Sequence, residues 1–140
     1  LVPKTDIKLS KNLCLNELRV VEANQGLIYW KKFFADLGLP EIHRRSDHIL
    51  PQALDAASKF VSSMLLRWVH YHHLSPFHGF MHQQSDYPSL VYDLVEPYRY
   101  IMDQNIYELY KVTGEKNLLE NSINQIKNNL KGSLSRLKAG

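Results

Sequence analysis

His82, Asp93 and Glu96 are the residues of this chain whose types and spacing are most ready for chemistry. The stretch that carries them reads Gly79-Phe80-Met81-His82, a polar turn Gln83-Gln84-Ser85-Asp86-Tyr87-Pro88, then Ser89-Leu90-Val91-Tyr92-Asp93-Leu94-Val95-Glu96-Pro97-Tyr98-Arg99. One imidazole and two carboxylates in otherwise apolar or turn-forming company are unusual for a plain core. Ser85 or Asp86 with Pro88 close behind marks a helix start, and Leu90, Val91, Leu94 and Val95 follow at helical period. On that helix Asp93 and Glu96 are i,i+3 neighbours that repel, so a positive group is expected against them. A divalent cation would serve, and so would Arg99, one turn after Glu96. A histidine with carboxylates suits Mn, Mg-like or Zn ions.

A fourth candidate is Glu22. From about Leu13 to Leu37 the pattern is helical, with Leu15, Leu18, Tyr29 and Phe33 on one stripe and a stop at Gly38-Leu39-Pro40. Glu22 falls on that stripe, so its carboxylate is expected to point inward, where a lone charge is costly unless paired. Either a cation or an internal salt bridge would satisfy it.

The elements that must position these groups are all helical. Leu50, Leu54, Ala57, Val61, Met64, Leu65 and Trp68 predict a long core helix to about His72. After Arg99 the pattern runs on through Ile101, Met102, Ile106, Leu109 and Tyr110, with Pro97 expected to kink or restart the helix, and Gly114 ends it. Leu119, Ile123, Ile126 and Leu130 mark a last helix, expected to close at Gly132. No strand-period alternation, internal repeat or Gly-rich phosphate loop is present. The expected fold class is therefore all-α, with residues 1–12 as a linker or N-terminal remnant and 13–140 as the helical domain.

His70, His72 and His73 cluster at the end of the core helix but lack a Cys or downstream His at zinc-site spacing. Composition narrows the partners. The chain has 140 residues, 44% hydrophobic, and a formal charge of +3, which permits nucleic acid without requiring it. No apolar run approaches the ~20 residues of a membrane span. Cys14 is the single cysteine, which excludes an internal disulfide and suits a reducing compartment. A first residue Leu1 rather than Met suits a fragment or processed chain. Arg44, Arg45 and Arg99 are candidate phosphate contacts, and Lys111, Lys116, Lys127, Lys131, Arg136 and Lys138 make the last segment basic.

Gly79-Phe80-Met81-His82 followed by Ser89 to Arg99 resembles the signature of the universal CRISPR-associated spacer-acquisition endonuclease, the integrase of CRISPR adaptation. Arg19-Val20-Val21-Glu22-Ala23 with Tyr29-Trp30 resembles the other acidic motif of that family, and Leu74-Ser75-Pro76 stands where the family has Gly-Leu-Asp-Pro. The resemblance covers Arg19 to Asp103 and implies a C-terminal α-helical catalytic lobe. It implies that Glu22, His82 and Glu96 are metal ligands for Mg or Mn, with Asp93 beside them in the catalytic cluster. It further implies a metal-dependent DNA endonuclease and integrase that inserts prespacer DNA at a CRISPR repeat by transesterification. The implied setting is the prokaryotic cytoplasm, with the intact protein a homodimer joined by a small ferredoxin-like partner. A non-catalytic helical DNA-binding or assembly module and a transposon-encoded integrase of the same fold are the alternatives.

Overall fold

A computed structural model describes residues 14–82 and 86–139. Residues 1–12, expected to be a linker, and Ser85, an expected helix-start residue, lie outside the described residues. Four α-helices and no strand make up the described chain: α1 (Leu15–Asp36), α2 (Ile49–Tyr71), α3 (Ser89–Thr113) and α4 (Leu118–Ala139). The all-α expectation holds. None of these helices is long and apolar enough to cross a membrane.

Local chemistry sets the helix ends. At α1, Gly38 takes φ 78°, and the amides of Gly38 and Leu39 return to the Ala35 and Phe34 carbonyls, a Schellman stop that favours glycine. The same pair of bonds ends α2, from His73 to His70 and from Leu74 to Val69. Here the left-handed residue is His73, at φ 55°, which turns the chain away after the histidine run. At the start of α2, His48 Nδ1 accepts the Leu50 N–H at 3.1 Å, while its Nε2 lies 3.1 Å from Glu115. Two expectations are corrected. α3 begins at Ser89 with Pro88 as its cap and continues through Pro97 without restarting, and α4 runs past Gly132 to Ala139. A single glycine costs a helix only about 1 kcal/mol, and Leu130, Leu134 and Leu137 keep the helical spacing across it.

Helices α2, α3 and α4 pack against one another. Leu50, Leu54, Ala57 and Val61 of α2 meet Val91, Val95, Met102 and Ile106 of α3 and Leu118 and Ile126 of α4 in one core. Val69 is fully buried at the end of α2 where Trp68 was expected, and Trp68 is exposed.

Helix α1 joins this core only by its last turns. Phe33 and Phe34 are fully buried, and Phe33 packs on Tyr107 of α3 with ring centroids 5.6 Å apart. Asp36 clamps the joint, accepting from the Tyr107 hydroxyl and lying 3.3 Å from Lys111 Nζ. Upstream, Val20 and Leu27 are exposed. The expectation for Glu22 is corrected at this point: its side chain is exposed, not inward. It lies on the same stripe as Tyr29 but two turns before the core begins.

Candidate active site

The segment before α3 is tied to that helix at its backbone. The Leu90 N–H bonds to the Pro76 carbonyl at 2.9 Å, and the Gly79 N–H bonds to the fully buried Ser89 hydroxyl at 3.0 Å. One turn further along α3, the Asp93 carboxylate collects three successive amides: Phe80 at 2.5 Å and Met81 at 2.9 Å on Oδ2, and His82 at 3.1 Å on Oδ1. Oδ1 also meets His82 Nδ1 at 2.6 Å. One side chain thus folds the loop and aims the imidazole at its end.

Burial opposes ionisation of Asp93. The bonds from the His82 ring and the three loop amides outweigh it and hold the carboxyl below the ordinary carboxylate value. An ionised carboxylate only accepts, so His82 Nδ1 is the donor in this bond. Nε2 has no hydrogen-bond partner among the described residues, and the side chain is 35% exposed. Tyr87 and Tyr92 stand beside the ring, with centroids 6.4 and 5.9 Å from it. Because their amides bond inward to Asp93, Phe80 and Met81 carry their side chains outward, and both are almost fully exposed.

Gly79 is obligatory on steric grounds. A Cβ there would lie 2.5 Å from the His82 carbonyl oxygen, 2.6 Å from Asp93 Oδ2 and 2.9 Å from the Ser89 carbonyl carbon. Two of these three are backbone atoms, so the loop itself would have to move. Gly79→Ala is expected to cost about 1–3 kcal/mol, as overpacking does, read as a lower melting temperature.

Glu96 follows Asp93 by one turn and is exposed, with Arg99 Nε 3.0 Å from Oε1. The two carboxylates expected to repel are thus answered separately, Asp93 by the loop and Glu96 by Arg99. An exposed pair of this kind is worth about 0–1 kcal/mol, so Glu96 is readily redirected. The donor chemistry suits a divalent ion: His82 has its Nδ1–H on a carboxylate, as ligating histidines do, and Glu96 is a carboxylate one turn after Asp93 on α3. Glu22 is not brought beside them. Among the described residues, no three His, Cys, Asp or Glu side chains are grouped so as to hold a metal ion, and this includes the histidines ending α2.

Arg44, Arg45 and Arg99, 55 residues apart at the extremes, line one cleft of about 570 Å³ with Trp30, Asp55 and Asp103. Arg44 is held by Asp55 at 2.7 Å and the Pro51 carbonyl at 3.3 Å, with its guanidinium 5.2 Å from the centre of the Trp30 ring. Sequence reasoning passed over Asp103, although it stands one turn after Arg99. The Tyr29 hydroxyl donates to it at 3.0 Å. Burial pushes the Asp103 carboxyl up to about 6, against the Tyr29 bond and the charges of Arg44 and Arg99. Burial and the neighbouring Asp103 raise the Tyr29 phenol in turn.

A stability consequence follows. The folded value of about 6 exceeds the unfolded ~3.9, so between them the folded state binds more protons. Stability should fall by on the order of 2–3 kcal/mol as pH rises through that window and level off above it. Denaturation midpoints from pH 4 to 7 test this, and Asp103→Asn should remove the slope.

A family model described as "CRISPR associated protein Cas1" matches residues 4–132 of the chain. No curated protein and no solved structure matches it.

Proposed function

Because the chain belongs to the CRISPR associated protein Cas1 family, we propose that it is the helical catalytic lobe of a metal-dependent DNA endonuclease and integrase of CRISPR spacer acquisition. On this reading it inserts prespacer DNA at a CRISPR repeat by transesterification. The family match supports the nuclease and integrase class, and the single structural observation that carries the reading is the His82–Asp93 pair. A histidine ordered by a carboxylate, with its second nitrogen open at the surface, is the form in which imidazole serves a metal.

Glu22, His82 and Glu96 are the proposed holders of a Mg or Mn ion. The chemistry such an ion supplies when bound is Lewis acidity, drawing charge from the phosphodiester and activating the attacking water or DNA 3′-hydroxyl. His82 offers Nε2, and Asp93 keeps the ring in one tautomer and one orientation. Asp93 is therefore a positioning residue, since its oxygens are occupied by the loop. Glu96 would give up its surface pair with Arg99 to hold the ion, which would leave that guanidinium available for a phosphate. Glu22 would be supplied from the part of α1 that extends beyond the core. The homodimer, the ferredoxin-like partner and the prokaryotic cytoplasm belong to this proposal through the family.

Mn-dependent cleavage or strand transfer on branched DNA tests it. Activity that needs Mn, stops with EDTA and is lost in His82→Ala is expected. Binding of DNA with no turnover under any metal would favour the alternative, a non-catalytic helical DNA-binding or assembly module. One observation favours that alternative: Glu22 stands apart from His82 and Glu96.

DNA affinity should be sequence-tolerant and fall steeply with salt. Arg44→Glu with Arg45→Glu is expected to weaken binding and to flatten the log–log salt dependence by about 1–2. Fluorescence anisotropy of a labelled duplex from low to moderate salt measures both. Unchanged binding would assign the two arginines to the solvated surface.

A further inference from the structure

We propose that Tyr29 and Asp36 are positioning residues: by fixing α1 on α3 in one register, they set the level at which Glu22 meets Glu96. The inference rests on the reading of Glu22 and Glu96 as metal ligands and names what brings the first to the second.

The direction of the two helices is the first argument. The Tyr29 hydroxyl donates to Asp103, 74 positions further along the chain, and Phe33 packs on Tyr107 at the same separation. Asp36 accepts from Tyr107 and from Lys111, the latter 75 positions on. A separation that stays nearly constant while both helices advance means that α1 and α3 run parallel. In an antiparallel pair it would shrink with every turn.

The seam continues beyond these contacts. On α1 the positions three or four apart are Glu22, Gly26, Tyr29, Phe33 and Asp36, and on α3 they are Glu96, Tyr100, Asp103, Tyr107 and Lys111. Tyr100 is near enough to Tyr29 to help raise its phenol, as this alignment requires. Two turns back from the Tyr29–Asp103 bond, at the same separation of 74, Glu22 falls opposite Glu96.

Register therefore decides which residue of α1 Glu96 can share a cation with. A slip of one turn, about 5.4 Å, would present Leu18 or Gly26, and neither side chain holds a metal. What separates Glu22 from Glu96 is then the width of the seam and not a mismatch along it. At Gly26, between Glu22 and Tyr29, an added Cβ would meet no atom within 4 Å. The seam is open at that point, and α1 can lean onto α3 without changing level.

The contacts that hold the level are of two kinds. Phe33, fully buried, anchors α1 to the core, but an aromatic contact tolerates sliding. The Tyr29–Asp103 bond and the two bonds accepted by Asp36 are directional, so they fix the position along the axis.

Cross-linking reads the register without metal. In Cys14→Ser protein and EDTA, Glu22→Cys with Glu96→Cys is treated with a short bis-maleimide, beside Leu18→Cys with Glu96→Cys as the pair one turn out of register. The first pair should bridge about tenfold faster than the second or more, and Tyr29→Phe with Asp36→Ala should bring the two rates within about threefold. Mn binding is then measured by calorimetry in proteins that keep Glu22 and Glu96, at a temperature at which circular dichroism shows each one folded. Affinity should fall about tenfold in Tyr29→Phe with Asp36→Ala. Asp36→Ala alone, at an exposed position, should weaken binding in the same direction without disturbing the fold. Asp36→Glu, which keeps a carboxylate for Tyr107 and Lys111, should restore it.

Equal rates for the two cysteine pairs, or a preference that the variants leave unchanged, would overturn the proposal, and Mn binding by the wild type would then leave the metal reading standing. Unchanged Mn affinity in folded variants would overturn the positioning role and leave Tyr29 and Asp36 as structural contacts. A wild type that binds no Mn would remove the metal reading and the positioning role together, with the register still read by the cross-links in EDTA.

Discussion

Glu22→Gln and Glu96→Gln are each expected to reduce metal-dependent cleavage or strand transfer by about two orders of magnitude or more, while the metal-free protein keeps its stability. Both side chains are exposed, and Glu96 loses only a surface pair with Arg99. Exposed substitutions of this kind change stability by about 0.5 kcal/mol or less. The two readouts separate the accounts. A carboxylate that was half of a buried salt bridge would cost roughly 3–5 kcal/mol on removal, and a melt showing such a loss with activity retained would refute the metal-ligand assignment. Metal-free thermal melts beside an activity assay on branched DNA decide it.

Asp93→Ala should behave in the opposite way, as a lesion of structure first and of activity second. The carboxylate accepts three loop amides and the His82 Nδ1–H, and its side chain is only 9% exposed. Stripping these bonds is expected to cost about 2–4 kcal/mol, because donors left without an acceptor lose more than the net value of a hydrogen bond. Asp93→Asn should recover only part of this, since an amide offers one acceptor oxygen in place of two. Hydrogen exchange at Phe80, Met81 and His82 is the specific check: slow in the wild type, fast in both variants. Acid should have the same effect on the wild type. With the folded value depressed, the contribution of Asp93 is complete above the ordinary ~3.9 and is lost as pH falls through the folded value.

The contrast between these variants shows what the chain makes legible. Periodicity and breaker residues located the four helices closely, because Gly38 and Gly114 are chain reversals written in residue type. The Gly79 turn, His82 and the i,i+3 carboxylates were legible as a functional stretch, because little in a plain core calls for them. The separate tasks of the two carboxylates were not legible. Asp93 serves the loop and Glu96 meets only Arg99 at the surface because the loop lies over the first turns of α3, and spacing along one helix says nothing about what covers it.

Glu22 exposes a related blind spot. A stripe reports which face of a helix is apolar, not how far the core reaches along it. A 22-residue helix is about 33 Å long at 1.5 Å per residue, and only the turns bearing Tyr29, Trp30, Phe33 and Phe34 reach the other helices. The convergence of Arg44, Arg45 and Arg99 on one cleft, with Asp103 beneath Tyr29, likewise depends on tertiary packing. The candidates were named singly from residue type, and no local pattern joins a loop before α2 to the middle of α3.

The central claim is that His82, presented by Asp93, joins Glu96 and Glu22 in holding a divalent ion. Anomalous scattering from crystals soaked in Mn tests it most directly. A single Mn peak beside the His82 ring, within reach of Glu96 and Glu22 and absent from Glu96→Gln crystals, is the predicted result. Crystals that take up Mn elsewhere but show no peak near His82 would contradict it.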